Sequence, residues 1–109
     1  MDSSQLAQEV TRLHAEICSA LADPNRILIL YALSERPHAV NELAAALSIS
    51  QPATSRHLKV LRDRGMVSAT RQGQSIQYAL NDPRIIDALD TLRAVLRDRL
   101  AYRAQLVSE

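Results

Sequence analysis

The sequence predicts a mainly α-helical domain with one small β-hairpin. Gly65 and Gly73 are the only glycines in 109 residues, which argues against a sheet-rich fold with many tight turns. All three aromatic residues are tyrosines, so leucine, isoleucine, valine and alanine must build the core. Apolar residues recur mostly every three or four positions, the period of a helix, and every two positions in one segment, residues 66–80.

Length and composition also limit the class of protein. We expect a single domain over residues 1–109, because the chain is too short for a two-domain enzyme. No apolar run reaches the roughly 18 residues of a membrane span, and no signal peptide is recognisable. One cysteine permits no internal disulfide. We therefore expect a cytoplasmic protein with no membrane partner and no cofactor.

An apolar stripe predicts the first helix, which begins near Ser3 or Ser4. Its residues are three or four positions apart, so they share one helix face. The stripe consists of Leu6, Val10, Leu13, Ile17 and Leu21. A second striped helix stands at the other end of the chain, and we expect both to pair with a second subunit. Residues 1–22 are therefore predicted to be an N-terminal dimerisation helix.

Two short helices follow. Asp23 and Pro24 fit the N-cap and first position of the second helix, because the carboxylate accepts from free backbone N–H groups and proline lacks one. Residues 41–47 form a third helix, and His38 is expected in an exposed loop between the two. The predicted apolar lining of the second helix is Ile27, Leu28, Leu30 and Tyr31.

The next turn is the most informative. Ser50 is placed to cap a fourth helix, Pro52 is tolerated in its first turn, and Gly65 supplies a left-handed stop. Leu58 and Leu61 face inward, whereas the other faces are polar and basic. Two short helices joined by about four residues form the helix-turn-helix pattern, in which the second helix enters the major groove of DNA.

The apolar period of two after Gly65 predicts the hairpin. Ile76, Tyr78 and Leu80 alternate with polar or small residues. The tip, residues 71–74, joins an arginine and two glutamines to a glycine, which suits contact with a neighbouring phosphate. A merely soluble turn is the alternative interpretation.

A cap-and-proline signature at Asn81, Asp82 and Pro83 opens the last helix, residues 82–107. At about 1.5 Å per residue it is longer than a small domain needs, so we assign it as a C-terminal dimerisation helix. Its stripe consists of Ile85, Leu89, Leu92, Leu96 and Leu100.

Basic residues are concentrated in the centre of the chain, although the formal net charge is only +1. Residues 51–78 contain five basic residues and a single acid, Asp63. Such a segment is a possible footprint for phosphate-rich polymers, although a solvated helix face is the commoner meaning of a charge run. The five are Arg56, Lys59, Arg62, Arg64 and Arg71.

Several motifs together resemble the ArsR/SmtB family, over roughly residues 17–100. The matching segments read ALADPNRILIL at 20–30, VNELA at 40–44, SQPATSRHLKVL at 50–61, GMV at 65–67 and RQGQSIQY at 71–78. The resemblance implies a winged helix-turn-helix homodimer that binds double-stranded operator DNA, represses its target operon and releases it when an effector binds. It makes residues 23–80 the DNA-binding core, with the wing at 66–80.

The resemblance further implies that the fourth helix reads the major groove. Arginine and lysine can donate to guanine, and glutamine can bridge adenine N6 and N7. His57 suits a supporting role as well as direct contact, and Arg64 is expected on a phosphate together with Arg62 and Arg71. The candidate DNA-binding residues are Gln51, Thr54, Ser55, Arg56, His57, Lys59, Arg62, Arg71, Gln72 and Gln74.

The metal-binding patterns of this family are missing from the sequence. A Cys-x-Cys pair would begin the third helix, where residues 41–45 read NELAA, and the last helix has no histidine. We therefore predict no metal site and leave the effector unassigned. His14 and Cys18, four residues apart, are weak candidates for effector sensing, with a small buried cysteine as the favoured interpretation.

Two alternatives to effector-released repression remain. A winged helix can serve protein–protein interaction alone. In that case we expect DNA binding to be weak and independent of the DNA sequence. Cys18 could instead sense a thiol modifier, an arsenical or a metal, through a bond between subunits. An enzyme is not expected, because Cys18 and His14 have no orienting third group and no oxyanion turn.

Overall fold

The computed structural model describes residues 2–108, so Met1 and Glu109, the ends of the predicted domain, lie outside the described residues. It is mainly helical with one antiparallel β-hairpin, which confirms the predicted fold class. In chain order the elements are α1 Ser3–Leu13, α2 Pro24–Glu35, α3 Val40–Leu47, α4 Gln51–Asp63, β1 Val67–Gln72, β2 Ser75–Leu80 and α5 Arg84–Ser108.

The prediction of one continuous first helix is wrong. Beyond α1 the chain forms a π-helical turn, His14–Cys18, and then a 3-10 turn, Ala20–Ala22. The Ser19 amide donates to the carbonyl oxygen of His14, five residues back, at 2.9 Å. Apolar spacing of four residues cannot distinguish this from a regular helix, because it does not report the backbone ladder. We call residues 14–22 the helix break.

Helix α2 begins as the sequence predicts, and of its predicted lining Leu30 is buried, Ile27 and Tyr31 are partly buried and Leu28 is not. Asp23 Oδ1 accepts from the Asn25 amide at 2.8 Å, and Pro24 follows at the first helical position. The predicted Leu28 is 53% exposed. Residues 27–33 are all apolar, so periodicity could not select the face. The buried residues of α2 are Ile29, Leu30 and Leu33.

Capping and turn geometry define the helix-turn-helix. Glu42 Oε1 accepts from the Ala39 amide at 3.1 Å at the start of α3, and Ser48 ends that helix in the left-handed region with φ 57°. Ser50 Oγ then accepts from the Ala53 amide at 3.1 Å and begins α4. Gly65, with φ 73°, turns the chain from α4 toward β1.

His38 is not an exposed loop residue. Its amide donates to the Tyr78 carbonyl at 3.0 Å, and the Tyr78 amide donates back at 2.8 Å, so His38 forms a bridge beside β2. The side chain is buried, with Nδ1 2.8 Å from the Arg36 carbonyl oxygen. The prediction failed because this pairing joins residues far apart in sequence.

The core lies between α2, α3, α4 and the hairpin, and α5 adds Leu89. The radius of gyration is 17.0 Å, against about 13 Å for a compact domain of this length, because α1 and α5 project from the core. No helix within residues 2–108 has the length and apolarity to cross a membrane. Both projecting helices carry apolar residues that are about half exposed: Leu6, Val10, Leu13, Leu92, Val95, Leu96, Leu100 and Leu106.

Candidate nucleic-acid interface

Helix α4 presents a continuous polar and basic line to solvent. Exposed residues follow one another at intervals of four, four and three positions, so they share one face. Leu58 and Leu61 are buried on the adjacent side of the helix, where they hold it against the core. The exposed line consists of Gln51, Ser55, Lys59 and Arg62.

The basic side chains of Arg56 and Lys59 are free to bind a group outside the protein, such as a phosphate. Arg56 is exposed and has no hydrogen bond or ion pair to any described residue. Lys59 Nζ lies 3.0 Å from Asp63 Oδ2, but both side chains are more than half exposed. Such exposed pairs contribute little to stability, so Lys59 can exchange its carboxylate for a phosphate.

The wing stands beside α4. Its two strands pair from Val67 with Leu80 to Gln72 with Ser75, and Gly73 turns the tip with φ 63°. Arg71 Nε donates to the Gly73 carbonyl at 3.2 Å, while the rest of its guanidinium and the amides of Gln72 and Gln74 face solvent. Ile76, near the tip, is 45% exposed because the core ends short of it.

A cleft of about 470 Å³ separates α4 from the wing. Ser55, Lys59 and Arg62 line it from the helix, and Tyr78 lines it from β2. The fold therefore brings the polar helix face and the hairpin to adjoining surfaces, as a winged helix that grips a duplex requires.

Two residues expected at the interface point elsewhere. Thr54 is fully buried, and its hydroxyl donates to the Ser50 carbonyl at 2.8 Å, so its side chain stabilises the first turn of α4. Arg64 donates through Nη1 to the Ala15 carbonyl and, at 2.9 Å, to Ser19 Oγ. Arg64 thus binds the helix break, and Thr54, being fully buried, does not belong in the contact set.

His57 is half-buried and has a partner that the sequence did not suggest. Arg26 Nη1 lies 3.4 Å from His57 Nδ1, and the same guanidinium donates to carbonyl groups of the helix break. This environment favours the supporting role for His57. No spacing or motif pointed to Arg26, because its partners lie on two other elements.

Cys18 is exposed, contrary to the favoured interpretation of a buried cysteine. It lines an open groove of about 610 Å³ between the helix break and α5, together with Ile17, Leu21, Ile85 and other apolar side chains. His14 is also exposed. Within the described part of the chain, no three His, Cys, Asp or Glu side chains converge as a metal-binding group.

Clear pKa shifts accompany the starts of helices. The Ala39 amide and the Arg36 guanidinium lower the pKa of Glu42 at the start of α3. The Arg84 side chain and amide lower the pKa of Asp82 to about 2 just before α5. Both carboxylates are therefore ionised at neutral pH and stabilise the helix starts that they cap.

Comparison with known proteins gives consistent results. The family described as "Bacterial regulatory protein, arsR family" matches residues 23–69. The HTH-type transcriptional regulator NmtR of Mycobacterium tuberculosis is 40% identical over 83% of this chain and 71% of its own length. The Transcriptional repressor SmtB homolog of Synechocystis is 38% identical over 67% of this chain, which spans 55% of that relative. The crystal structure of M. tuberculosis Rv0081 superposes with a TM-score of 0.77 at 36% identity, covering 87% of this chain and 96% of that one.

Proposed function

Because the chain belongs to the arsR family of bacterial regulatory proteins, we propose that it represses transcription as a homodimer on an inverted-repeat operator. The family consists of DNA-binding transcriptional regulators, and this chain is one of them. The operator geometry, the contact residues and release by an effector are proposals, as is a cytoplasmic location.

The observation that carries the proposal is the exposed polar and basic face of α4 beside a basic wing. We assign Arg56 and Gln51 to base edges, because their forked or paired groups can form two hydrogen bonds to one base. Phosphate contacts hold the register of the helix in the groove. For these we assign Ser55, Lys59, Arg62, Arg71, Gln72 and Gln74.

The exposed apolar stripes supply the subunit interface in this proposal. We assign residues 1–22 and 82–107 to dimerisation and residues 23–80 to DNA binding, with the wing at 66–80. Leu92, Leu96 and Leu100 are each more than half exposed in the single chain. A second subunit packed on this stripe would bury them. Two-fold symmetry then places the two α4 helices about 34 to 36 Å apart, one turn of DNA.

Fluorescence anisotropy tests the proposal. The purified chain is titrated into labelled DNA from upstream of its own gene and into a scrambled duplex of the same length, at one stated salt concentration. We expect the upstream DNA to bind at least about 10³-fold more tightly. Equal and weak affinity for both duplexes would reject repression and favour a protein–protein interaction module.

The exposure of Cys18 supports a second candidate, thiol-responsive release of DNA. The same titration repeated after arsenite or persulfide treatment tests it, with the Cys18→Ser variant as control. Release on treatment that the variant no longer undergoes would assign sensing to Cys18. Binding that ignores treatment would remove Cys18 from consideration and leave other effectors.

A further inference from the structure

We propose that Arg26 and Arg64 are positioning residues that fix the angle between α1 and the recognition helix α4. This inference rests on the proposed function, because it explains how the dimer would hold its two recognition helices at one separation. Both arginines bind the helix break, so they affect DNA recognition without touching DNA.

The helix break needs hydrogen-bond donors. The π-helical turn interrupts the regular ladder: the Ser19 amide bonds the His14 carbonyl, so the Ala15 carbonyl loses its usual partner. The Ser19 carbonyl accepts from the Ala22 amide only at 3.4 Å. A guanidinium carries five N–H donors in a planar fork and no acceptor. One arginine can therefore hold several such carbonyl groups in a fixed arrangement.

Arg26, in the first turn of α2, reaches back to the break. Its Nε donates to the Ala20 carbonyl at 2.5 Å, and Nη2 donates to the Ser19 carbonyl at 3.2 Å. Its third nitrogen, Nη1, lies 3.4 Å from Nδ1 of His57 on α4. Because a guanidinium only donates, Nδ1 of His57 is the acceptor in this hydrogen bond. Arg26 thereby joins the break to the recognition helix.

Arg64, which caps the end of α4, also reaches the break. Its Nη1 donates to the Ala15 carbonyl and to Ser19 Oγ, and that hydroxyl also donates to the Ala15 carbonyl at 2.5 Å. Residues 15–20 are thus held by two arginines from two helices of the core. Movement of this segment, from which α1 extends, relative to α2 and α4 would have to disrupt these hydrogen bonds.

This angle matters because α1 and α4 have different proposed partners. Leu6 and Val10 on α1 face the second subunit in our proposal, and the exposed line of α4 faces DNA. In a symmetric dimer a change in the angle between α1 and α4 occurs in both subunits, so it alters the separation of the two α4 helices twice over. One base pair of extra spacing moves a half-site by about 3.4 Å and turns it by about 35° around the duplex. A loosely held α1 would therefore accept incorrect spacings.

A distance measurement without DNA tests the positioning role. Nitroxide labels on Gln8→Cys and Ser55→Cys, in a Cys18→Ser chain diluted with unlabelled protein, report the distance from α1 to α4 within one chain. We expect one narrow distance distribution in the parent and a shifted or broadened distribution after Arg26→Ala or Arg64→Ala. Arg62→Ala, on the same helix but without a bond to the break, should leave the distribution unchanged.

Unchanged distributions in both folded alanine variants would overturn the proposal. If either alanine variant fails to fold, Arg26→Lys and Arg64→Lys replace it, since lysine keeps the charge but cannot reproduce the fork. A spacing series then adds the functional readout, with operator half-sites moved one or two base pairs apart or together.

We expect the parent to bind the operator of one spacing about tenfold more tightly than the others. The affinities of the Arg64 variant for all operators in the series should agree within about threefold. Arg62→Ala should weaken all spacings equally. A parent without preference for its upstream DNA would reject the proposed function, while the label distances would still decide the positioning role.

Discussion

The hydroxyl group of Tyr31 donates a hydrogen bond of 2.6 Å to Oδ1 of Asp90 and so joins α2 to α5. The Arg93 guanidinium lies 5.2 Å from the centre of the Tyr31 ring and 3.5 Å from the same Asp90 oxygen. This cluster is a polar connection between the DNA-binding core and the long C-terminal helix. The apolar stripe of α5 gave no indication of it, because Asp90 and Arg93 lie outside the stripe and Tyr31 is on a different helix.

Tyr31→Phe should lower the free energy of unfolding by about 0.5 to 1.5 kcal/mol, because it deletes the bond to Asp90 and the one that Arg93 Nη1 donates to the hydroxyl at 3.4 Å, and keeps the ring beneath Arg93. Urea denaturation followed by circular dichroism measures the difference at fixed protein concentration. Tyr102→Phe is the matched control, since Tyr102 is 62% exposed on α5. Equal losses in both variants would contradict the importance of the Tyr31–Asp90 bond.

Arg56→Ala should weaken binding to the upstream operator by about 1 to 3 kcal/mol and relax the preference for one base pair. The physical reason is that a forked guanidinium can satisfy both guanine acceptors, which alanine leaves unpaired. Anisotropy on the operator and on single-base variants measures both effects. Retention of full affinity would remove Arg56 from the base-reading set.

Arg62→Ala should weaken binding to every duplex by a similar factor, because a phosphate contact carries no sequence information. Each lost phosphate contact lowers the slope of log affinity against log salt by about 0.9, so a dimer loses about 2. Anisotropy at several salt concentrations gives the slope. A variant that loses specificity but keeps its salt slope would reverse the assigned role of Arg62.

Leu96→Lys should dissociate the proposed dimer, because it places a charge within the apolar stripe of α5. Leu96 is 55% exposed in the single chain, and association would bury it. Sedimentation equilibrium compares this variant with Asp98→Lys, which adds the same side chain on the opposite face of α5. Dimers of equal strength in both variants would move the interface away from this stripe.

Asp82 makes the free energy of unfolding decrease as the pH falls below about 4. Its pKa in the folded chain is lowered to about 2 by Arg84, below the ordinary value near 4. The unfolded chain therefore binds the proton first, and the contribution of Asp82 is complete above about pH 4 and declines toward pH 2. Urea midpoints from pH 5 to pH 2 should fall less steeply for Asp82→Asn than for the parent. Parallel profiles would contradict this role.

Helix boundaries were predictable where they depend on local chemistry. Asp23 and Ser50 cap α2 and α4, and Gly65 adopts the positive φ that ends the second of these helices. Each signal acts within a few residues, so the sequence alone contains it. The hairpin was predictable for the same reason, since its apolar alternation and its glycine tip are adjacent in sequence.

Long-range contacts were not predictable in the same way. Thr54 has the chemistry of a DNA contact, but it falls on the inner face of α4, between Ser50 and Leu58, and is buried. Arg64 looked like a phosphate ligand because charge counts do not report a hydrogen-bond partner 49 residues away. The interruption of the first helix likewise has hydrogen-bond partners on other elements, Arg26 and Arg64.

Because so little of α5 is buried, the stability of its C-terminal turns should depend on formation of the dimer. Leu89 is its buried residue, and none of the described residues beyond it is buried. A helix that packs so little gains its stability mainly from local propensity, which in water is marginal. In a lone chain the C-terminal turns should therefore open at low free energy and exchange their amide protons quickly. Protection of those amides would then rise with protein concentration, so that this helix reports association before any DNA is present.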